Sequence, residues 1–175
     1  LLRKLSFSKH IIVLSAICGA MINFGLNLIV VLIFALINGA STSWRAIFAI
    51  PLFIELFALA FGIALILSTL FVKFRDANQI WEVFMQAGLY ATPIIYPITY
   101  VTDQSMLAAK FLMLSPVAQI IQDLRYILID PANVTIWQMS NHWWYIMIPY
   151  LIPFIVLAIG LYVFNRSAKR FAEII

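Results

Sequence analysis

Long, nearly uncharged stretches of apolar residues dominate this sequence of 175 residues. Hydrophobic residues make up 65% of the chain and charged residues 10%, whereas soluble globular domains carry about 25% charged residues. So few charges exclude an ordinary water-soluble fold and an intrinsically disordered chain. An integral membrane protein is therefore predicted, with lipid in place of water over most of its surface.

Four of these stretches are candidates for membrane-spanning helices, which need about 20 residues each. Helices are expected rather than a barrel, because the stretches lack the alternating pattern of barrel strands. The four predicted spans are residues 11–37, 46–71, 80–96 and 143–164, of which the third is short. Residues 1–175 are thus predicted to form a single all-α transmembrane domain.

The basic residues are distributed unevenly around these spans. Of the 11 Lys and Arg residues, eight lie within residues 1–10, in the loop after the second span and at the C-terminal end. By the positive-inside rule, both ends of the chain are cytoplasmic and residues 97–142 are external. The net charge of +4 is therefore interpreted as an orientation signal and not as a nucleic-acid-binding surface.

The external segment is predicted to contain helices of its own. A short apolar helix covers residues 106–113, and Ser115-Pro116 begins a second helix. Apolar residues of the second helix recur at spacings of three and four, and most of its polar residues lie off that apolar face. The apolar set is Val117, Ile120, Ile121, Leu124 and Leu128, and the polar set is Gln119, Gln122, Asp123 and Arg125. Two such helices suggest a re-entrant or interface-lying cap.

Polar residues inside the first two spans are candidates for function, because a polar group facing lipid is costly. In the first span, Asn23 and Asn27 continue a stripe that begins at Ser15 and Gly19. The stripe fits helix–helix packing or direct substrate contact. Glu55 in the second span is either a substrate-path or proton-linked carboxylate, or a carboxyl hydrogen-bonded to a neighbouring helix.

The third span also carries a polar stripe. Its members are spaced by three and four residues and run from Gln79 to Pro93. A stripe facing lipid would be unfavourable, so it is predicted to face a bundle interior or an aqueous path. A buried hydrogen-bonded seam is the alternative.

No catalytic or metal-binding pattern is found in the sequence. There is no His/Asp/Glu cluster, one cysteine (Cys18) and no glycine-rich phosphate loop. The chain is therefore predicted to be no enzyme and to bind no cofactor or metal ion itself.

Two motifs resemble the type-2 ABC exporter permeases, most closely the branch that exports O-antigen, capsular polysaccharide or teichoic acid. Residues 71–81 read FVKFRDANQIW, and residues 91–97 read ATPIIYP. The entry Arg3-Lys4-Leu5-Ser6-Phe7, the external Ser115-Pro116…Arg125 and the tail from Phe164 are similar to the same family. Ser8 and Ser115 depart from the family's usual Pro and Asn.

The resemblance implies a permease with six spans, of which this chain would supply the last four, truncated at its N-terminus. It further implies a homodimer with the path between protomers, and a separate ATP-binding cassette subunit that binds ATP and Mg²⁺. The expected function is export of lipid-linked polysaccharide across the bacterial cytoplasmic membrane, without covalent chemistry by this chain. An exporter of drugs or lipids, or a membrane enzyme acting on lipid-linked sugars, is the alternative.

The resemblance also implies two sets of site residues. The set expected to contact the ATP-binding subunit is Arg3, Lys4, Phe7, Lys73, Phe74, Arg75 and Asp76. The set expected to line the translocation path is Glu82, Gln86, Tyr90, Thr92, Pro93, Tyr96 and Tyr100. Tyrosines suit a glycan path because sugars stack on aromatic faces and hydrogen-bond to phenols, although interfacial anchoring or core packing is the alternative role.

Overall fold

The regular structure of the chain is helical throughout the residues that the computed structural model describes, which are 9–39, 44–74 and 76–171. The helices are α1 (Lys9–Ile37), a 3₁₀ helix (Trp44–Phe48), α2 (Ala49–Lys73), α3 (Ala77–Ala91), α4 (Ile98–Gln104), α5 (Met106–Met113), α6 (Pro116–Leu128), α7 (Ile136–Met139) and α8 (Trp143–Phe171). The predicted all-α class is confirmed.

Three helical segments are long and apolar enough to cross a membrane. They are Ile11–Ile37, Arg45–Lys73 and Trp143–Ser167, and they coincide with the first, second and fourth predicted spans. The pair α5 and α6, bent by 97°, would make a fourth if it counts as one broken span. These helices are continuous because the membrane interior holds no water to bond their backbone groups. Each backbone N–H and C=O must therefore be hydrogen-bonded within its own segment.

The third predicted span is shorter than the sequence suggested. Helix α3 ends at Ala91, so the last five residues of the stretch 80–96 are not in that helix. Thr92 is extended, with φ −92° and ψ 141°, because the residue before a proline is driven out of the helical region. A helix of 15 residues is about 22 Å long, less than the ~30 Å hydrocarbon core.

Helices α2 and α8 form the central pair of the structure. They cross where glycine meets glycine: a Cβ added to Gly160 would lie 2.5 Å from the carbonyl oxygen of Gly62. A Cβ added to Gly62 would lie 2.6 Å from the backbone nitrogen of Leu157. The two backbones therefore touch directly, as small residues allow in membrane helix pairs. Helix α1 packs on α2, where Phe24 and Phe53 meet edge to face.

The segment predicted to be external folds as α4 to α7 and packs on one end of the α2–α8 pair. Its short helix covers the predicted residues 106–113, and α6 begins with Pro116 in its first turn. Ala109, Met113 and Ile136 are fully buried and form its apolar core with Ile146 of α8. This segment of helices α4 to α7, which we call the cap, is therefore joined to the spans through a packed interface.

Helix α6 buries most of its polar face together with Ile120 and Leu128 of its apolar face. Gln119, Gln122 and Asp123 are at most 5% exposed, whereas Val117 is 36% exposed. Helix α6 contacts α2 and α8, and its polar side chains are buried there. This burial of the polar face fits a membrane protein, because in lipid the polar groups of a helix gain most from facing other protein groups.

Candidate functional site

The polar stripe of α3 is uncovered in this chain. None of the residues of α3 is buried, and the Tyr90 side chain is 72% exposed. Glu82 accepts a hydrogen bond of 2.9 Å from the Asn78 amide one turn earlier, and Gln86 is exposed between Glu82 and Tyr90. Within the described chain the stripe is therefore not a buried seam, and it offers three polar side chains to a surface outside this chain.

The turn after α3 is held by an arginine from α6. The Arg125 guanidinium donates one hydrogen bond of 3.0 Å to the Pro93 carbonyl and another of 2.7 Å to the Ile94 carbonyl. The planar fork of an arginine suits two neighbouring acceptors, and a charged donor strengthens both bonds. The contact joins the two parts of the chain that carry ATPIIYP and Ser115-Pro116…Arg125.

The remaining candidates for the path lie around this turn. Pro93 is fully buried and Thr92 is half-buried. The Tyr96 hydroxyl donates a long bond of 3.4 Å to the Ala91 carbonyl at the end of α3, while Tyr100 in α4 is 61% exposed. Four of the seven predicted path residues are thus exposed, and the other three lie in the turn held by Arg125. The exposed residues are Glu82, Gln86, Tyr90 and Tyr100, and the turn residues are Thr92, Pro93 and Tyr96.

A cluster of buried and half-buried polar side chains, which we call the polar core, joins α2, α6 and α8. Its members are Glu55 of α2, Gln119, Gln122 and Asp123 of α6, and Tyr150 of α8. One Asp123 oxygen, Oδ2, accepts a hydrogen bond of 2.6 Å from the Gln119 amide and a second from the Tyr150 hydroxyl. That hydroxyl in turn accepts a bond of 2.9 Å from the Trp137 indole.

Three polar atoms of this core have no hydrogen-bond partner among the described residues. They are Oε1 of Glu55, Oε1 of Gln119 and Nε2 of Gln122. An unpaired polar atom in a protein interior costs about 1–3 kcal/mol. The proposed roles of Glu55 stay predictions, but its carboxyl is 4% exposed and lies inside the protein rather than against lipid.

The polar core was not predicted as a unit from the sequence. Gln119, Gln122 and Asp123 are spaced by three and one, which places them on one side of a helix. In a membrane protein that pattern, together with Glu55 in a neighbouring span, is the signal for a buried polar contact. Nothing in the sequence pairs Asp123 with Tyr150, since that contact depends on how α6 docks on α8.

The polar stripe of α1 lies on an open face. Asn23 and Asn27 are exposed, and the Asn27 amide donates to the Asn23 carbonyl at 2.9 Å. A Cβ added to Gly19 would meet nothing within 4 Å. The packing seam or substrate contact predicted for this stripe would therefore have to involve groups other than those described.

The residues expected to contact an ATP-binding subunit are only partly within the described chain. Lys73, whose ammonium lies 5.1 Å from the centre of the Phe74 ring, ends α2. Phe74 is 52% exposed, and Asp76 occupies the N-cap position of α3 without a side-chain capping bond. The other four predicted residues, Arg3, Lys4, Phe7 and Arg75, lie outside the described residues.

The acidic residues of the cap do not form a common site. Asp103 is exposed on α4, Asp130 accepts a 2.9 Å bond from the Ala132 backbone, and Asp123 is in the polar core. Across the described ranges, no three His, Cys, Asp or Glu side chains are grouped so that they could hold a metal ion.

Comparison with known proteins bears directly on these features. The sequence model of the family described as ABC-2 type transporter matches residues 3–129, which include the α3 stripe, the turn and α6. The chain belongs to this family. The predicted resemblance is thereby confirmed, and with three candidate spans this ABC-2 chain is a multi-pass membrane protein.

Relatives of this ABC-2 chain carry a more specific name. Two proteins of Klebsiella pneumoniae called O-antigen export system permease protein RfbA are 28% identical to it over 179 residues, covering all of this chain and 64% of their own length. A protein of the same name from Myxococcus xanthus is 31% identical over 117 residues, covering 66% of this chain and 43% of its own. The ABC-2 chain thus spans less than two thirds of the curated relatives that it matches.

Proposed function

We propose that the full-length protein is the permease subunit of an ATP-driven exporter that moves a lipid-linked polysaccharide across the bacterial cytoplasmic membrane. The chain itself does no covalent chemistry, and a separate ATP-binding cassette subunit binds ATP and Mg²⁺. The observation that carries the proposal is α3, an amphipathic helix whose polar stripe is exposed although it belongs to a membrane domain. Membership of the ABC-2 family and the names of the relatives support it.

The path is proposed to run along the stripe of α3, between two copies of the permease. Polar side chains on a helix within a membrane domain are stable only against protein or water, and a second protomer with water between the two would supply both. Tyr90 and Tyr100 expose large parts of their rings, which suits stacking on sugars. The Arg125-held turn would then set the position of the outer end of the path.

The contact with the ATP-binding subunit is proposed to involve the short segments before α1 and between α2 and α3. Lys73, Phe74 and Asp76 are exposed at the bend where α2 ends and α3 begins. A movement of the ATP-binding subunit against this bend would then shift the N-terminal end of α3. Both ends of the chain are proposed to be cytoplasmic, in line with the charge distribution.

The first test is ATP hydrolysis by the full-length permease reconstituted in vesicles with its ATP-binding subunit. Lipid-linked glycan extracted from the source organism is expected to stimulate hydrolysis. Phe74→Ala is expected to lower that stimulation because it removes an exposed contact at the bend. Asp103→Ala, a substitution of an exposed residue in the cap, is the control and should keep the stimulation. Glycan transport without any ATP-binding subunit would contradict the proposal.

The second test asks which side of α3 meets water. The cysteines are introduced one at a time in a Cys18→Ser background and treated with a membrane-impermeant maleimide. Gln86→Cys is expected to react about tenfold faster than Phe84→Cys. The reason is that an apolar environment raises the pKa of a thiol, and each unit of increase lowers the fraction of reactive thiolate tenfold. Phe84 is the matched control: it is 64% exposed in this chain but lines an apolar groove between α2 and α3. Equal rates for the two cysteines would remove α3 from the path.

A further inference from the structure

A cleft separate from the α3 stripe opens between the start of α2, α6, α7 and α8. Its volume is about 610 Å³, within the range of about 300–1,000 Å³ that is usual for small-molecule sites. Arg45, Phe48 and Leu52 lie on its α2 side, while Tyr126 of α6, Trp137 of α7 and Tyr150 of α8 lie on the others. Most of its wall is apolar.

The position of the cleft suits a molecule that is polar at one end and apolar at the other. Arg45 begins the candidate span Arg45–Lys73, so it lies at the boundary of the membrane. Leu52 follows about 10 Å further along the helix axis, at the depth of the hydrocarbon. By the predicted topology this boundary is the external one, so the cleft would open at the outer leaflet.

Arg45 supplies a positive charge at the polar end. Its guanidinium lies 5.9 Å from the centre of the Tyr126 ring, and no hydrogen bond or ion pair of Arg45 occurs with the residues that the structure describes. The other charged group at the cleft is Asp123, whose Oδ2 is already engaged by Gln119 and Tyr150. A guanidinium at a membrane boundary without a carboxylate partner attracts phosphate, which it binds with two parallel hydrogen bonds.

We propose that this cleft binds one anionic phospholipid of the outer leaflet. Arg45 binds the phosphate, and one acyl chain lies along Phe48 and Leu52. Trp137, held by its bond to the Tyr150 hydroxyl, forms the wall beside the glycerol backbone. The lipid would then rest on α2, α6 and α8 together, the same three helices that the polar core joins.

The proposal is tested on the full-length protein, purified in detergent and titrated with dioleoyl-phosphatidylglycerol under native mass spectrometry. The wild type is expected to retain one lipid after the weakly held ones have dissociated. Arg45→Ala is expected to raise the Kd for that lipid about tenfold, since it removes a charge-assisted bidentate contact, and Arg45→Lys is expected to lie between the two. Dioleoylglycerol, which has the same chains and no phosphate, is expected to bind far more weakly.

Lys110→Ala is the matched control, because Lys110 is a basic residue of α5, on the same predicted side of the membrane as Arg45, but does not line the cleft. Equal lipid retention by Arg45→Ala and Lys110→Ala would overturn the proposal. So would equal binding of dioleoylglycerol and dioleoyl-phosphatidylglycerol, or displacement of the lipid by millimolar inorganic phosphate, which has no apolar part. None of these outcomes depends on export, so the lipid site and the proposed transport function can fail separately.

Discussion

Adding a single methyl group at the crossing of α2 and α8, by Gly62→Ala or Gly160→Ala, is expected to destabilise the protein by about 3 kcal/mol, at or above the usual upper end for overpacking. The added carbon would lie 2.6 Å from the Leu157 nitrogen in one case and 2.5 Å from the Gly62 oxygen in the other. Both obstacles are backbone atoms, so no side-chain rotation can relieve the clash. The helices must separate, and the contacts along the whole pair weaken.

The expected loss of stability is opposite in sign to the usual effect of replacing glycine by alanine in a helix. In an ordinary helix, alanine is favoured over glycine by about 1 kcal/mol. Gly19→Ala and Gly88→Ala are the controls, since an added carbon at either position would meet nothing within 4 Å, and they should leave stability unchanged or raised. Thermal unfolding of the full-length protein in detergent compares all four variants. A rise in Tm for Gly62→Ala would show that α2 and α8 do not cross at these glycines.

The helices themselves were largely predictable from the sequence. The short helix over residues 106–113, the helix start at Pro116 and the start of α8 at Trp143 all appear where local signals placed them. These signals act over a few residues: a serine before the helix, a proline in its first turn, an aromatic pair at the membrane boundary. The error at the end of α3 was local too, because the apolar run Ile94-Ile95-Tyr96 outweighed the stop signal of Pro93.

The contacts between helices were not predictable, for a physical reason. In the sequence, Gly62 and Gly160 cannot be told apart from Gly19 and Gly88. Only the docking of α2 on α8 leaves no room for a Cβ at the first two. The Arg125 bonds to the Pro93 and Ile94 carbonyls depend in the same way on how the cap folds back. The family motifs pointed to both partners of that contact but carried no information that they touch.

The burial of the α6 polar face follows from the apolar surroundings of a membrane protein. An amphipathic helix in water turns its apolar side inward. In a membrane the solvent is itself apolar, so apolar packing gives little preference for one side, whereas an unpaired amide or carboxyl in lipid is strongly unfavourable. Gln119, Gln122 and Asp123 are therefore inside, although Ile120 and Leu128 are buried as well, and we expect the polar residues to orient α6.

If the polar core orients α6, then its central bond must contribute to stability. Asp123→Ala is expected to cost about 3 kcal/mol, because it leaves the Gln119 amide and the Tyr150 hydroxyl without their acceptor in a buried site. Tyr150→Phe is expected to cost less, about 1–2 kcal/mol, since it removes one donor to Asp123 and the acceptor of the Trp137 indole. Both values are measured as shifts in the unfolding free energy of the full-length protein in detergent.

Combining Asp123→Ala with Tyr150→Phe in one protein separates the energy of the Asp123–Tyr150 bond from the general effect of each substitution. Direct hydrogen bonds in membrane proteins give coupling energies that average about 0.6 kcal/mol and reach about 1.7, and the Asp123–Tyr150 pair should lie in the upper half because its acceptor is a carboxyl shared with Gln119. Tyr162→Phe is the control on the same helix: its hydroxyl accepts a bond from Arg166 but its side chain is 64% exposed, so its cost should stay below about 0.5 kcal/mol. A coupling energy near zero would mean that α6 is held by its apolar residues after all, and that the buried polar side chains merely tolerate the position that packing imposes on them.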